Sequence, residues 1–275
     1  MTQAQGWTSG FLTAAGHRLE YRAAGDLAGD APVLVFLHEG LGCAAMWRDF
    51  PLRVGAAAGL PVLAYSRYGY GQSDVLASPR RPDFMHAEAS EALPGVLRAL
   101  AIRRPILVGH SDGASIALLH AAEHPAGQAA VVAIAPHLFV EPVTLESIAE
   151  ISARFQASDL PARLARYHRD PQATFHGWAD VWLAPEFPGW NIEAEVARIH
   201  CPVLALQGTR DEYGTMRQVR RIAQLCAHAR WSAIEDCGHS PFVDQPERVL
   251  REIVAFVDSL GLARDRADVH PHSNS

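Results

Sequence analysis

Between Pro105 and Ala122 the chain passes from an apolar run, Pro105-Ile106-Leu107-Val108, through Gly109-His110-Ser111-Asp112-Gly113 into Ala114-Ser115-Ile116-Ala117-Leu118-Leu119-His120-Ala121-Ala122. No other stretch restricts the fold as much. The apolar run reads as a buried strand and the segment after it as a helix. The turn between them is G-x-S-x-G, whose glycines leave room for a bend so tight that the serine is strained and held up at the end of the sheet. A serine so placed is a candidate nucleophile, whereas an ordinary strand-to-helix turn needs no such pattern.

Similar units recur along the chain. Val33–Leu37, Pro61–Tyr65, Ala129–Ala135 and Pro202–Gln207 are continuous apolar runs, and Arg230–Ile234 reads as a last strand. Pro61, Pro105 and Pro202 stand at strand starts, where a missing N–H costs least. Helical patterns fall near residues 43–58, 84–101, 113–123, 215–227 and 246–260. Residues 7–25 read as a hairpin, with a turn at Ala15-Gly16. The alternation predicts an α/β fold, a mostly parallel central sheet with helices on both faces.

One stretch breaks the alternation. From His137 to about Arg198 no strand-like run occurs, only the helical pieces Leu145–Gln156 and Leu160–Tyr167 and the aromatic-rich Phe175–Trp182 with Trp190 beyond it. The expected organisation is therefore a core of residues 1–136 and 199–262, a helical lid insertion over 137–198, and a polar, disordered tail over 263–275. Phe175, Trp178, Trp182 and Trp190 are candidates to line an apolar substrate pocket, the alternative being that they pack the lid onto the core.

Composition narrows the function classes. With 275 residues, 49% hydrophobic and 20% charged, the chain can bury a full-sized core. A net charge of −6 advertises no basic face for nucleic acid or anionic lipid. Cys43, Cys201, Cys226 and Cys237 are scattered without C-x-x-C spacing, which suggests neither a disulfide framework nor a zinc site. Met1–Leu12 lacks the pattern of a secretory signal, and no apolar run reaches membrane-spanning length. A reduced, cytoplasmic protein with a small-molecule substrate is expected, with no nucleic-acid or membrane partner; a homo-oligomer stays open.

A serine is a poor nucleophile unless a base lies within hydrogen-bond reach and a third group orients that base. The strand Val203–Gln207 runs into Gly208-Thr209-Arg210-Asp211, which puts a carboxylate at a strand's carboxyl end, with Glu212 as its neighbour and rival. The last strand leads to Asp236-Cys237-Gly238-His239-Ser240-Pro241-Phe242, a histidine in a glycine-loosened loop. His38-Glu39-Gly40-Leu41-Gly42 follows the first central strand, and Gly40 can present its N–H to a developing oxyanion.

Together these segments, with Tyr65-Ser66-Arg67-Tyr68-Gly69-Tyr70-Gly71-Gln72-Ser73-Asp74, resemble the α/β-hydrolase fold enzymes over roughly residues 7–260, in particular lid-bearing esterases and lactonases. The order Ser111, Asp211, His239 matches their nucleophile, acid, histidine order. The resemblance implies Ser111 as nucleophile, His239 as general base, Asp211 as its orienter, and the N–H groups of Gly40 and Asp112 as the oxyanion hole. Two positions depart from the pattern. Relatives usually read His-Gly where this chain has His38-Glu39, and the residue after the nucleophile is here Asp112. Both carboxylates are expected to hold neighbouring loops.

His120-Ala121-Ala122-Glu123-His124 spells H-x-x-E-H, but the helix that carries it follows the elbow and begins against the sheet, so no metal is expected. Gly40-Leu41-Gly42 is too short for a dinucleotide fingerprint, and no phosphate-binding loop occurs, so no cofactor is expected. The reading is a serine hydrolase of small, largely apolar carboxylic esters or lactones. The alternatives are a C–C bond hydrolase of vinylogous diketones and a non-catalytic small-molecule receptor on the same fold.

Overall fold

A computed structural model describes residues 6–262, so the tail expected at 263–275 lies outside the described residues. Eight strands form one sheet: β1 (Thr8–Ala14), β2 (His17–Ala24), β3 (Val33–Leu37), β4 (Val62–Tyr65), β5 (Pro105–His110), β6 (Ala130–Ile134), β7 (Val203–Gly208) and β8 (Ala229–Ile234). Their order is β1-β2-β4-β3-β5-β6-β7-β8. The β1–β2 and β2–β4 pairs are antiparallel and all others parallel. The N-terminal hairpin thus extends a parallel sheet along one edge.

Every residue of β3, β4, β5, β6 and β7 is buried, which is why each reads as an unbroken apolar run. The side chains still alternate. Val33, Val35, Leu37, Leu107, Val131 and Ala133 enter a core shared with Ile116, Leu119 and Val219. Leu34, Phe36, Ile106, Val108, Val132 and Ile134 enter a second core on the opposite face, with Phe50, Val54, Val249 and Ile253.

The parallel strands share one direction, so the loops at their carboxyl ends gather at one edge, where ligands bind in open α/β sheets. Registers place Leu37 beside Gly109 and His110 beside Ile134. Three non-glycine residues with positive φ cluster just past these ends: Ser111 (52°), Ala135 (48°) and Asp236 (54°). Such backbone is costly and marks where the fold holds loops in strained positions.

Between β6 and β7 the chain forms the helices Pro142–Arg154, Leu160–Leu164, Pro171–Trp182 and Glu193–Val196. Asp170 caps the third by accepting from the Ala173 N–H at 2.9 Å. Phe155, Phe175, Trp178, Trp182, Phe187 and Trp190 of this insertion join the first core. Among the described residues no helix is long and apolar enough to cross a membrane.

Candidate active site

The elbow is built by close backbone approach. A β-carbon on Gly109 would lie 2.2 Å from the Gly113 oxygen, and one on Gly113 would lie 2.2 Å from the Leu37 oxygen. Neither glycine has positive φ, so both are needed for space. Ser111 itself takes the strain, at φ 52° and ψ −119°. Its N–H donates to the Ile134 carbonyl at 2.9 Å, and its own carbonyl accepts from Ala114 at 2.9 Å and Ser115 at 3.1 Å. The turn is therefore tied to β6 on one side and opens the helix Asp112–Glu123 on the other.

Asp211 and His239 meet across the loops that follow β7 and β8. The Nδ1 of His239 lies 2.9 Å from both carboxylate oxygens. The carboxylate is further fixed by the Tyr213 N–H at 2.8 Å, the Gly214 N–H at 3.1 Å and Gln207 Nε2 at 2.6 Å. Burial alone would raise the Asp211 carboxyl, but the charge and hydrogen bond of His239 outweigh it and hold the group below its ordinary range. Burial would likewise lower His239, yet the Asp211 charge and hydrogen bond leave it raised. Glu212 plays another part, accepting the His239 main-chain N–H at 3.2 Å. Gly208 lets β7 reach this loop, since a β-carbon there would lie 2.2 Å from the Gly238 oxygen.

Ser111, His239, Gly40 and Asp112 line one cavity of about 290 Å³. A larger hollow of about 540 Å³ lies elsewhere, between Phe139 and the face formed by Arg217, Arg220 and Arg221, away from the elbow. Chemistry, not size, singles out the smaller one. The two unusual carboxylates have different surroundings. Asp112 is fully buried, and its Oδ1 accepts from Trp182 Nε1 at 3.3 Å while Oδ2 lies 3.9 Å from Arg67 Nη2. Burial raises the Asp112 carboxyl and the Arg67 charge only partly offsets that. Glu39 turns its carboxylate to His110 Nδ1 at 3.5 Å. The loop that carries Gly40 is pinned from below by Arg67, whose Nη2 donates to the carbonyls of His38 at 3.2 Å and Glu39 at 2.9 Å.

Of the four aromatics expected to line the pocket, Trp178 and Trp182 do so. The other two are corrected to packing positions. Phe175 stacks on Phe155 at 3.6 Å with the rings 4° from parallel, and Trp190 stacks on Phe187 at 5.8 Å and 6°. The cavity also takes residues that sequence reasoning did not single out: His137, Thr144, Ile148, Arg163 and Tyr213. His137 follows the carboxyl end of β6, and that position was a usable signal. It is buried and its imidazole is pushed down to about 3, chiefly by burial and next by His239.

The chain matches relatives across most of its length. It is 23% identical over 240 residues to the 2-hydroxy-6-oxo-6-phenylhexa-2,4-dienoate hydrolase of Comamonas testosteroni, covering 77% of this chain and 82% of that one. Among solved structures, the hydrolase of the same name from a Rhodococcus species superposes with a TM-score of 0.79 at 15% identity, over 92% of this chain and 99% of that one. The enol-lactonase of Burkholderia xenovorans gives a TM-score of 0.70 at 21% identity, over 90% and 100%. These relatives are hydrolases, and the solved structures share the fold. The profile of the alpha/beta hydrolase family spans residues 34–252, from the first parallel strand into the last helix. The chain therefore belongs to the alpha/beta hydrolase family.

Proposed function

We propose that the protein is a serine hydrolase that cleaves a small, largely apolar carboxylic ester or lactone through an acyl-enzyme. One observation carries the reading: the Asp211–His239 pair, closed at 2.9 Å, opens onto the same cavity as a serine held on a strained elbow. In this mechanism Ser111 Oγ attacks the carbonyl carbon while His239 Nε2 takes its proton, and Asp211 keeps the other ring proton on Nδ1. The N–H groups of Gly40 and Asp112 stabilise the tetrahedral oxygen. Collapse expels the alcohol, which takes the proton from His239. Water then repeats the sequence on the acyl-enzyme and releases the acid. No cofactor enters any step.

The insertion between β6 and β7 acts as a lid in this reading, with Trp178 and Trp182 supplying apolar contact to the acyl or alcohol group. A cavity of about 290 Å³ suits a compact substrate. The decisive experiment is labelling of the folded protein by a fluorophosphonate, with Ser111→Ala as control. Label on Ser111, with ester turnover abolished in the variant, is the expected result. An unlabelled native protein sinks the mechanism and leaves the receptor reading.

The name of the Comamonas relative favours one second reading, cleavage of a C–C bond in a vinylogous diketone. Arg163 on the cavity wall would face the anionic group of such a substrate. A panel of aryl esters, lactones and diketones assayed side by side separates the two.

A further inference from the structure

Two ionisable side chains beside Ser111 have no part in the triad chemistry, Glu39 and His110. His110 Nε2 lies 2.7 Å from the main-chain oxygen of His239. A carbonyl only accepts, so Nε2 carries a proton. The other ring nitrogen, Nδ1, is buried without a well-formed hydrogen bond, and Glu39 Oε2 lies 3.5 Å from it. A bare Nδ1 facing a carboxylate would set two acceptors against each other. The contact is attractive only with a proton between them.

Both partners are fixed in place. The His110 ring sits edge-on to Phe242 at 5.2 Å and to Trp47 at 6.4 Å, and lies 5.1 Å from the His239 ring. The Glu39 main-chain oxygen accepts from His38 Nδ1 at 2.7 Å and Arg67 Nη2 at 2.9 Å. Its carboxylate folds back over Gly42, where a β-carbon would lie 2.3 Å from Oε2. Only glycine at position 42 leaves that seat open.

We propose that Glu39 and His110 form a second carboxylate–imidazole pair that positions His239, holding it by its main-chain carbonyl while Asp211 holds its ring. The proposal rests on the reading of His239 as general base. It also explains why a carboxylate is tolerated next to the oxyanion donor Gly40: the charge is turned away from the reacting carbonyl and answered by His110. Its negative charge still acts at a distance, adding to those of Asp211 and Glu212 in raising His239.

The groups that face His239 are Asp211, Glu212 and Tyr213 from the loop after β7, His137 after β6, His110 on β5, Asp112 after Ser111 and Glu39 after β3. Those that face Glu39 are His110, Arg67, His239 and Cys43, with His168 from the insertion.

Two readouts on the full-length protein test the pair: the ring titration of His239 by ¹⁵N NMR, and the pH profile of Ser111 phosphonylation by a fluorophosphonate. Glu39→Gln removes the charge but leaves an amide whose oxygen can still accept from Nδ1. It should move the His239 titration and the acid limb of the profile to lower pH. His110→Phe fills the same space without the donor and should cut the plateau by about tenfold or more. Gly42→Ala leaves both residues intact and displaces the carboxylate. It should shift the His239 titration in the same direction as Glu39→Gln, and it decides the matter if His110→Phe does not fold. An unmoved His239 titration in Glu39→Gln and Gly42→Ala overturns the proposal, as does a plateau in folded His110→Phe within twofold of native. A native protein that takes no label defeats the hydrolase reading, while the NMR titration still decides the pair.

Discussion

The indole of Trp178 lies across Gly40 so closely that a β-carbon on the glycine would sit 2.1 Å from Nε1. The insertion therefore rests directly on the loop that carries Gly40, the proposed oxyanion donor. Gly40→Ala must push one of them away, and we expect kcat/KM toward a small aryl ester to fall by about tenfold to a hundredfold. Adding Trp178→Ala should recover part of that loss, a coupling of roughly 1–3 kcal/mol. Effects that simply multiply in the double variant would show that Trp178 is not what the methyl meets.

Ser111 is strained by its backbone, at φ 52° and ψ −119°, and any side chain larger than hydrogen shares the strain. Ser111→Gly and Ser111→Ala should both be inactive, but they should differ in stability. Glycine relieves the torsion while raising the entropy of the unfolded chain, so a net advantage of about 1 kcal/mol over alanine is expected. Urea unfolding of the two variants measures it. Equal or reversed stabilities would mean that the elbow is not strained by its torsions.

The sheet, and the nearness of Ser111, Asp211 and His239 to its carboxyl edge, were legible in the sequence for one physical reason. Strands buried on both faces, such as Val33–Leu37, are apolar throughout, and Ser111, Asp211 and His239 follow the ends of β5, β7 and β8. The helix expected over 84–101 illustrates a partial success. It forms, but over Glu88–Ala92 it widens to a π-turn, with the Leu93 N–H reaching the Glu88 oxygen and Pro94, next in line, unable to donate. The insertion was harder. The helix Pro171–Trp182 puts Phe175, Trp178 and Trp182 on one stripe, so periodicity groups them. Which of the three meets the cavity depends on where Phe155 ends up, at the end of another helix, and no local pattern encodes that.

That distinction between Phe175 and Trp182 is itself testable. Phe175→Ala removes a stacked ring from a fully buried site, which should cost about 3–5 kcal/mol of stability. The ratio of kcat/KM between bulky and small esters should stay near native. Trp182→Ala should change that ratio, because its ring lines the cavity, and should also free Asp112 Oδ1 from its indole donor. Equal effects of the two substitutions on the ratio would place both rings in the pocket wall or both outside it.

His120 should make the fold sensitive to acid at a point outside the cavity beside Ser111. It is 4% exposed, and its Nδ1–H donates to the Ala89 carbonyl at 2.9 Å. Burial pushes its imidazole down to about 4, the Ala89 bond opposes this, and neighbouring His124 adds to the lowering. The unfolded chain binds this proton below about pH 6.5 and the folded chain does not until about pH 4. The unfolded state therefore holds more protons across that window, and stability falls as pH drops through it. The full loss is on the order of 3 kcal/mol by pH 4. Urea unfolding at pH 7.5 and pH 5 should show the decline in the native protein. His120→Leu should start about 1 kcal/mol lower at pH 7.5, for the lost hydrogen bond, yet decline less. Buried His137 adds to the acid sensitivity in the same sense and remains in both proteins, so only part of the decline should disappear. A variant that loses as much stability as native between the two pH values would place the acid sensitivity elsewhere than in His120.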